Sequence, residues 1–319
     1  MLATSLVVAT VATASAQDTI RIGHNRSWSN PALLIALSKR DFEAAGVKVV
    51  ATEFSNPADM ITAMAGGSID AATTPGPTFA IAVQRGVKLK AVGLIQGSNV
   101  PPISYVVLTE SGINSPTDLK GKKVAVNNYG GSHDINLRAW LERGKVSSKD
   151  VDILTIPVPA MPAALINKQV DMIPLAAADQ GRVMLQYPGK TRTVFTYSDV
   201  YRDATGSDDT NSMLLVVNQS YIDRSRPTLV KFMGGYLKAV RRMNADPKAA
   251  LADWADAVGN KSLLELPAPP KIPNDGKIYL DALQFETDMA QRFGYLQTRQ
   301  DVRALVDHSV LDDAARYIN

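Results

Sequence analysis

The chain of 319 residues contains no cysteine. That absence removes disulfides, thiolate metal sites, iron–sulfur clusters and cysteine nucleophiles together. Histidine is scarce: His24, His133 and His308 lie far apart, which argues against a zinc site or a hydrolytic triad. No stretch approaches the roughly 18–20 consecutive apolar residues that a membrane-spanning helix needs. Neither sign of charge dominates. Against 34 Lys and Arg stand 31 Asp and Glu, and the net +3 is too small and too dispersed for a nucleic-acid partner. Walker-type phosphate loops, Gly-x-Ser-x-Gly elbows, His-Glu-x-x-His helices and Gly-x-Gly-x-x-Gly turns are missing as well. What is present is ordinary globular composition, 45% hydrophobic and 20% charged, at a length that suggests two lobes.

The first sixteen residues stand apart. A short apolar stretch from Leu6 to Thr13 leads into Ala14-Ser15-Ala16, the small-x-small pattern of a signal-peptidase site, and polarity begins at Gln17-Asp18. Residues 1–16 therefore read as a secretory signal, although no Lys or Arg precedes the apolar run. With no cysteine to carry a lipid at the cleavage site, the exported protein is expected to diffuse freely in the periplasm.

The remainder repeats one unit. Thr19-Ile20-Arg21-Ile22-Gly23 alternates as a strand, and Ser29 or Asn30 with Pro31 opens a helix that Gly46 ends. Val47 to Phe54 forms a second strand, Asn56-Pro57 starts a helix ended by Gly66-Gly67, and Ser68 to Thr73 forms a third strand. Pro77 opens the next helix, and Val87 to Ile95 closes the set. The order recurs from Lys122: strand to Val126, helix from Ser132 to Gly144, strand from Asp152, helix near Pro162, strand at Gln169 to Ile173, helix capped by Asp179, strand from Thr191 to Tyr197. Gln169-Val170-Asp171-Met172-Ile173 answers Ser68-Ile69-Asp70-Ala71-Ala72. Two further strands, Ser104 to Thr109 and Ser212 to Val217, read as the passages between lobes. The expected fold is α/β, each lobe a mainly parallel sheet flanked by helices. Lobe one spans 18–103 plus 213–319 and lobe two 104–212. The helices after Arg226 (227–244, 247–258, 277–293, 298–306 and 310–318) are expected to pack back onto lobe one.

In open parallel sheets, ligands bind beyond the carboxyl ends of the strands. Those ends here, near residues 23–30, 54–56, 73–76, 127–132, 158–161 and 176–179, each lead into a helix N-terminus whose free N–H groups and dipole favour an anion. One such terminus contributes about 0.3–1 kcal/mol when exposed and up to about 2 when partly buried. Several converging from two lobes suit an anion receptor. Ser55 lies in the second of these loops.

The Ile-Arg-Ile-Gly strand, Ala-Gly-Val after the first helix, Gly-Gly-Ser-Ile-Asp, and above all Ser111-Gly112-Ile113 followed by Asp118-Leu119-Lys120-Gly121-Lys122-Lys123-Val124-Ala125-Val126 resemble periplasmic substrate-binding proteins of ABC importers. Within them the chain is similar to the nitrate, sulfonate and taurine group, over roughly residues 19–246. The resemblance implies a type II binding-protein fold that closes on a small-molecule ligand, works without cofactor or metal, and presents its closed form to a membrane permease as a monomer. It also implies ligand contacts at Ser27, Trp28 and Asn30, at Thr74 and Gly76, at Asn128, Tyr129, Gly130, Ser132 and His133, and more weakly at Met161 and Asp179. The 127–133 loop is bulkier and more aromatic than a plain Gly–Ser loop, which points to an alkyl or aryl sulfonate or an aromatic carboxylate.

Several of these residues have two readings. Arg26 pairs bidentately with a carboxylate or sulfonate, or is a solvated surface arginine. Trp28 is a stacking wall or a rim contact. His133 donates to an anion or is an exposed polar residue. Asp179 would repel an anion, and in the cleft it would suit a ligand bearing a hydroxyl or amine. Pyrimidine-precursor synthases of thiamine synthesis share this fold but depend on a cysteine-rich motif that is absent here, so the chain reads as a binding protein and not as an enzyme. A receptor for a thiamine-precursor pyrimidine is the alternative cargo reading.

Overall fold

The computed structural model describes residues 18–25, 30–54, 56–97 and 103–318. Residues 1–16, expected to form a leader, lie outside the described residues, as do 26–29, Ser55 and 98–102. The chain runs β1 (Asp18–Asn25), α1 (Pro31–Ser38), α2 (Asp41–Ala44), β2 (Val47–Phe54), α3 (Pro57–Ala65), β3 (Ala71–Thr74), α4 (Gly76–Gln84) and β4 (Leu89–Gln96). It continues with β5 (Ser104–Leu108), β6 (Lys123–Val126), α5 (Ser132–Arg143), β7 (Asp152–Thr155), α6 (Met161–Ile166), β8 (Met172–Leu175), α7 (Ala177–Gln186), β9 (Thr191–Thr196), α8 (Tyr197–Thr205) and β10 (Met213–Asn218). The C-terminal part holds α9 (Gln219–Ala245), α10 (Pro247–Val258), α11 (Leu280–Arg292) and α12 (Ser309–Ala314).

Among the described residues, ten strands form two five-stranded sheets, ordered β2-β1-β3-β10-β4 and β7-β6-β8-β5-β9. Both orders are the same plan. A parallel trio (β1 with β2 and β3, β6 with β7 and β8) is followed by one strand antiparallel to both its neighbours. That antiparallel strand is the passage strand in each case. β5 is drawn into the second sheet and β10 returns into the first, so each sheet is mixed, with its parallel part confined to the trio.

The repeated aspartates explain why the two halves match. Asp70 accepts from the Arg21 backbone N–H at 3.0 Å while its own N–H donates to the Arg21 carbonyl at 2.8 Å. Asp171 takes the Lys123 N–H at 2.8 Å and donates to the Lys123 carbonyl at 2.7 Å. Each carboxylate thereby stitches the segment before the third strand of its trio onto the start of the central strand. Asp70 also accepts from the Arg21 side chain at 2.9 and 2.8 Å and from Arg224 at 2.8 Å.

Local chemistry sets most boundaries. Asn56 caps α3 through its Oδ1, with Pro57 in the first turn. The helix expected across residues 31–45 breaks in two, because Arg40 adopts a left-handed backbone (φ 58°) between α1 and α2. Ser132 is the first residue of α5, with Gly131 in the cap position. The expected helix at 298–306 is reduced to a 3₁₀ turn at Val302–Ala304, since the backbone N–H groups of Gln297 and Thr298 are taken by the Gln84 side chain. In α9 the proline at 227 follows a break at Ser225, so it stands in the first turn of the main helix, where its missing N–H costs little.

The first core joins β1, α1, α2, α9 and α10 through Ile20, Leu33, Phe42, Phe232, Tyr236 and Trp254, all buried. α9, α10 and α12 pack on the first lobe as expected. α11 does not stay there. It lies between α4 of the first lobe and α5 and α8 of the second, with Leu283 in the core of the first and Ala282 in that of the second. Arg292 meets Glu142 of α5 at 2.6 Å on the outer side of the same seam.

Replacing Asp70 by alanine leaves one backbone N–H and two half-exposed guanidinium groups without their acceptor. It is expected to cost roughly 2–3 kcal/mol in urea denaturation, against about 1–2 for Asp171→Ala, which loses only the backbone bond. Equal, negligible costs would show that the aspartates do not hold the two trios.

Candidate functional site

The strand-end loops of the two sheets meet in a crevice. Its walls include Pro57, Pro75, Gln96 and Met213 from the first lobe and Asn127, Ser132, His133, Val158, Ala176, Asp179 and Tyr197 from the second, with Ile103 at the passage between them. Proline and helix-start residues recur because every loop turns directly from a strand into a helix. The crevice is open to solvent on one side. No lysine or arginine appears among the described lining residues, and one carboxylate, Asp179, does.

Asp179 sits in the third position of α7, where it does not serve as the cap; Ala176 holds that position. The side chain is 5% exposed, and Arg182 donates to its Oδ1 at 3.2 Å. Burial raises its pKa to about 6, with Arg182 pulling the other way. His133, on the first turn of α5, is held down to about 4 by burial of its ring, so it is neutral, and its Nδ1 has no hydrogen-bond partner. Its ring meets the Tyr197 ring edge-on at 6.4 Å. The Tyr197 hydroxyl, the Asn127 Oδ1 and the Thr74 Oγ1 are likewise buried without a partner. Buried polar atoms normally find partners, and this many at one crevice describe a surface made to be completed by a ligand.

Behind Ser132 lies Glu286 of α11, fully buried. Its Oε1 accepts from Ser132 Oγ at 3.1 Å and from the Tyr201 hydroxyl, whereas Oε2 has no partner. A Cβ at Gly76 would lie 2.6 Å from that Oε2 and 2.5 Å from Leu283, so a larger residue at the start of α4 would have to displace one of those side chains. Burial without a cation pushes the Glu286 carboxyl up to about 8, against the two donors.

The candidates named from sequence divide three ways. Ser132, His133 and Asp179 line the crevice, and Asn30, Thr74 and Gly76 are buried at the strand ends beside it. Arg26, Ser27, Trp28 and Ser55 lie outside the described residues. Four others are not brought to the crevice wall. Tyr129 is turned outward, 52% exposed, with its hydroxyl on the Ile153 carbonyl at 2.8 Å. Gly130 has φ 70° and gives its N–H to Asp134, and Asn128 folds back onto its own loop, donating to the Tyr129 carbonyl. Met161 is buried in a side core with Val106 and Leu165, as the apolar face of α6 requires. Sequence reasoning passed over Tyr197 and Glu286. The signal for Glu286 was a single acid on the apolar stripe Ala282, Leu283, Ala290 at helical spacing.

The model of one protein family, described as NMT1/THI5 like, matches residues 31–250 of this chain. The chain belongs to that family. The formylaminopyrimidine-binding protein of Halalkalibacterium halodurans is 23% identical over 220 residues, 69% of this chain and 64% of that protein. The curated relatives first matched are covered over 44% to 56% of their own length, so this chain spans about half of them. Among solved structures, the alkanesulfonate-binding protein SsuA of Xanthomonas axonopodis pv. citri bound to MOPS superposes with TM-score 0.74 at 20% identity, over 92% of this chain and 99% of that one. The periplasmic nitrate-binding protein NrtA of Synechocystis PCC 6803 gives 0.77 at 15% identity, over 94% and 89%. At such identities these two establish the fold, that of the periplasmic binding proteins. No helix among the described residues is long and apolar enough to cross a membrane.

The three shifted groups titrate with different signs. Glu286 and Asp179 bind their protons more tightly in the folded state, so their contribution is complete below about pH 4 and is lost as pH rises through about 8 and 6 respectively. His133 works oppositely, contributing above 6.5 and losing that as pH falls to about 4. Between pH 6.5 and 8 the Glu286 proton gives the largest change of the three. The protein is expected to lose on the order of 2 kcal/mol across that window, and Glu286→Gln to flatten the loss in denaturant titrations at the two pH values. An unchanged slope in the variant would remove Glu286 as its source.

Proposed function

We propose that this chain is the solute-binding component of an ABC importer, exported to the periplasm by residues 1–16, free of a lipid anchor and monomeric, and that its cargo is an uncharged, amine-bearing ring of the aminopyrimidine class. The lobes 18–103 with 213–319 and 104–212 close on that ring about the two passage segments and offer the closed form to a permease. The observation that carries the choice of cargo is Asp179. A nearly buried carboxyl on the crevice wall, with one oxygen held by Arg182 and no lysine or arginine among the described lining residues, favours an N–H donor. A sulfonate or carboxylate, the cargo expected from the helix N-termini alone, would set its charge against that carboxyl. Each terminus offers it about 2 kcal/mol at most.

The remaining lining supports the same reading. Neutral His133 with its open Nδ1, the Tyr197 hydroxyl and the Asn127 carbonyl oxygen complement ring nitrogens and exocyclic amines without adding charge. The flat ring of Tyr197 supplies apolar contact. The relative that binds formylaminopyrimidine belongs beside this cargo. Arg26 and Trp28 stand as further contacts on the loop after β1.

A thermal-shift series tests the reading. 4-Aminopyrimidine at a hundredfold excess over Kd should stabilise by about 2.7 kcal/mol and be recovered unchanged, while nitrate and ethanesulfonate leave the melting temperature where it was. Asp179→Asn should weaken the pyrimidine at least tenfold. Protection by ethanesulfonate with none by the pyrimidine would reverse the assignment of cargo.

A further inference from the structure

We propose that Glu286 is a specificity-determining residue: by accepting the proton of the Ser132 hydroxyl, it leaves only lone pairs of Ser132 facing the crevice, so that the site selects ligands presenting N–H or O–H groups. The inference deepens the function proposed above and rests on its placing of the ligand against Ser132.

The geometry is specific. A serine hydroxyl has one proton to give and two lone pairs to receive with. At the first position of a helix beside a crevice, that proton is ordinarily free to turn toward an anion. Here it is spent on Glu286 Oε1, 3.1 Å away, and the same oxygen receives the Tyr201 hydroxyl. Oε1 is therefore doubly supplied and fixed as an acceptor. The other oxygen, Oε2, lies close to the start of α4 at Gly76. The main chain of α5 is pinned as well, because Asn136 donates to the Ser132 carbonyl at 2.9 Å and the Tyr105 hydroxyl donates to the His133 carbonyl. Ser132 thus presents its oxygen to the crevice in one sense, and the buried Asp179 carboxyl across the same space asks for the same partner. Two acceptors facing one cavity read a ligand with two donors.

Glu286 touches the ligand only through Ser132, so its removal must act on selectivity rather than on binding in general. The test measures affinities for 4-aminopyrimidine and for ethanesulfonate by calorimetry. Glu286→Leu frees the Ser132 proton, and it should weaken the pyrimidine at least fivefold while strengthening ethanesulfonate at least fivefold. Adding Ser132→Ala to that variant should abolish the gain. Glu286→Gln, whose amide oxygen accepts the same two protons, should restore the wild-type ratio. A parallel loss of both affinities, or an unmoved ratio in Glu286→Leu, would show that Glu286 merely supports the fold and would overturn the proposal. Should Glu286→Leu fail to fold, Ser132→Ala alone decides. It should lower the ratio at least fivefold, and an equal loss for both ligands would make Ser132 an ordinary contact and overturn the idea. Failure of the wild type to bind the pyrimidine would count against the cargo reading and not against this one, because the gain of ethanesulfonate in Glu286→Leu is read independently.

Discussion

A carboxyl group inside a protein and away from cations stays there only if it keeps its proton or is given donors. Two buried carboxyl groups stand at the crevice of this protein, Asp179 on its wall with Arg182 as partner and Glu286 behind Ser132. Asp179 has one guanidinium on one oxygen and lines the space where the proposed ligand goes. Glu286 has two hydroxyl donors on one oxygen and nothing on the other. Both keep their protons to unusually high pH because water is excluded. The chemistry of the crevice follows from that constraint more than from the helix N-termini around it. A dipole end is worth a fraction of the cost of facing an anion with a carboxylate in the same enclosure.

The scaffold that aims these groups is a duplication with an exchange. Each sheet builds the same parallel trio and inserts a strand from the passage between lobes at the same place, so the strand ends of both sheets open toward one another. α11 then crosses the seam. Because its Leu283 and Ala282 faces belong to different cores, the helix carries Glu286 to the first turn of α5 while anchored to the first lobe.

Much of this was legible in the sequence, and the limits have physical causes. Glycine, proline and cap residues marked most strand and helix limits, and the Asp70 and Asp171 motifs announced the two matching halves, because those features are local. The break at Arg40 was not visible, since a left-handed arginine leaves no compositional trace. The helix expected at 298–306 yielded to Gln84, a side chain more than two hundred residues earlier. Within the site, Ser132, His133 and Asp179 could be named from their loop positions. Tyr129 and Met161 were misplaced because nothing local tells which way a loop aromatic or a helix methionine turns. Glu286 was hidden because its partners, Ser132 and Tyr201, lie 154 and 85 residues away. The helix N-termini, read alone, point to an anion, and it is Asp179 on the crevice wall that turns the proposed cargo toward an N–H donor.

The most direct test of the central claim is a crystal structure of the protein grown with 4-aminopyrimidine at neutral pH. The account predicts the exocyclic amine within hydrogen-bond distance of the Asp179 carboxylate and a second donor on Ser132 Oγ. A ring bound elsewhere, or an anion from the crystallisation liquor seated on the Ser132 hydroxyl and the first N–H groups of α5, would contradict it.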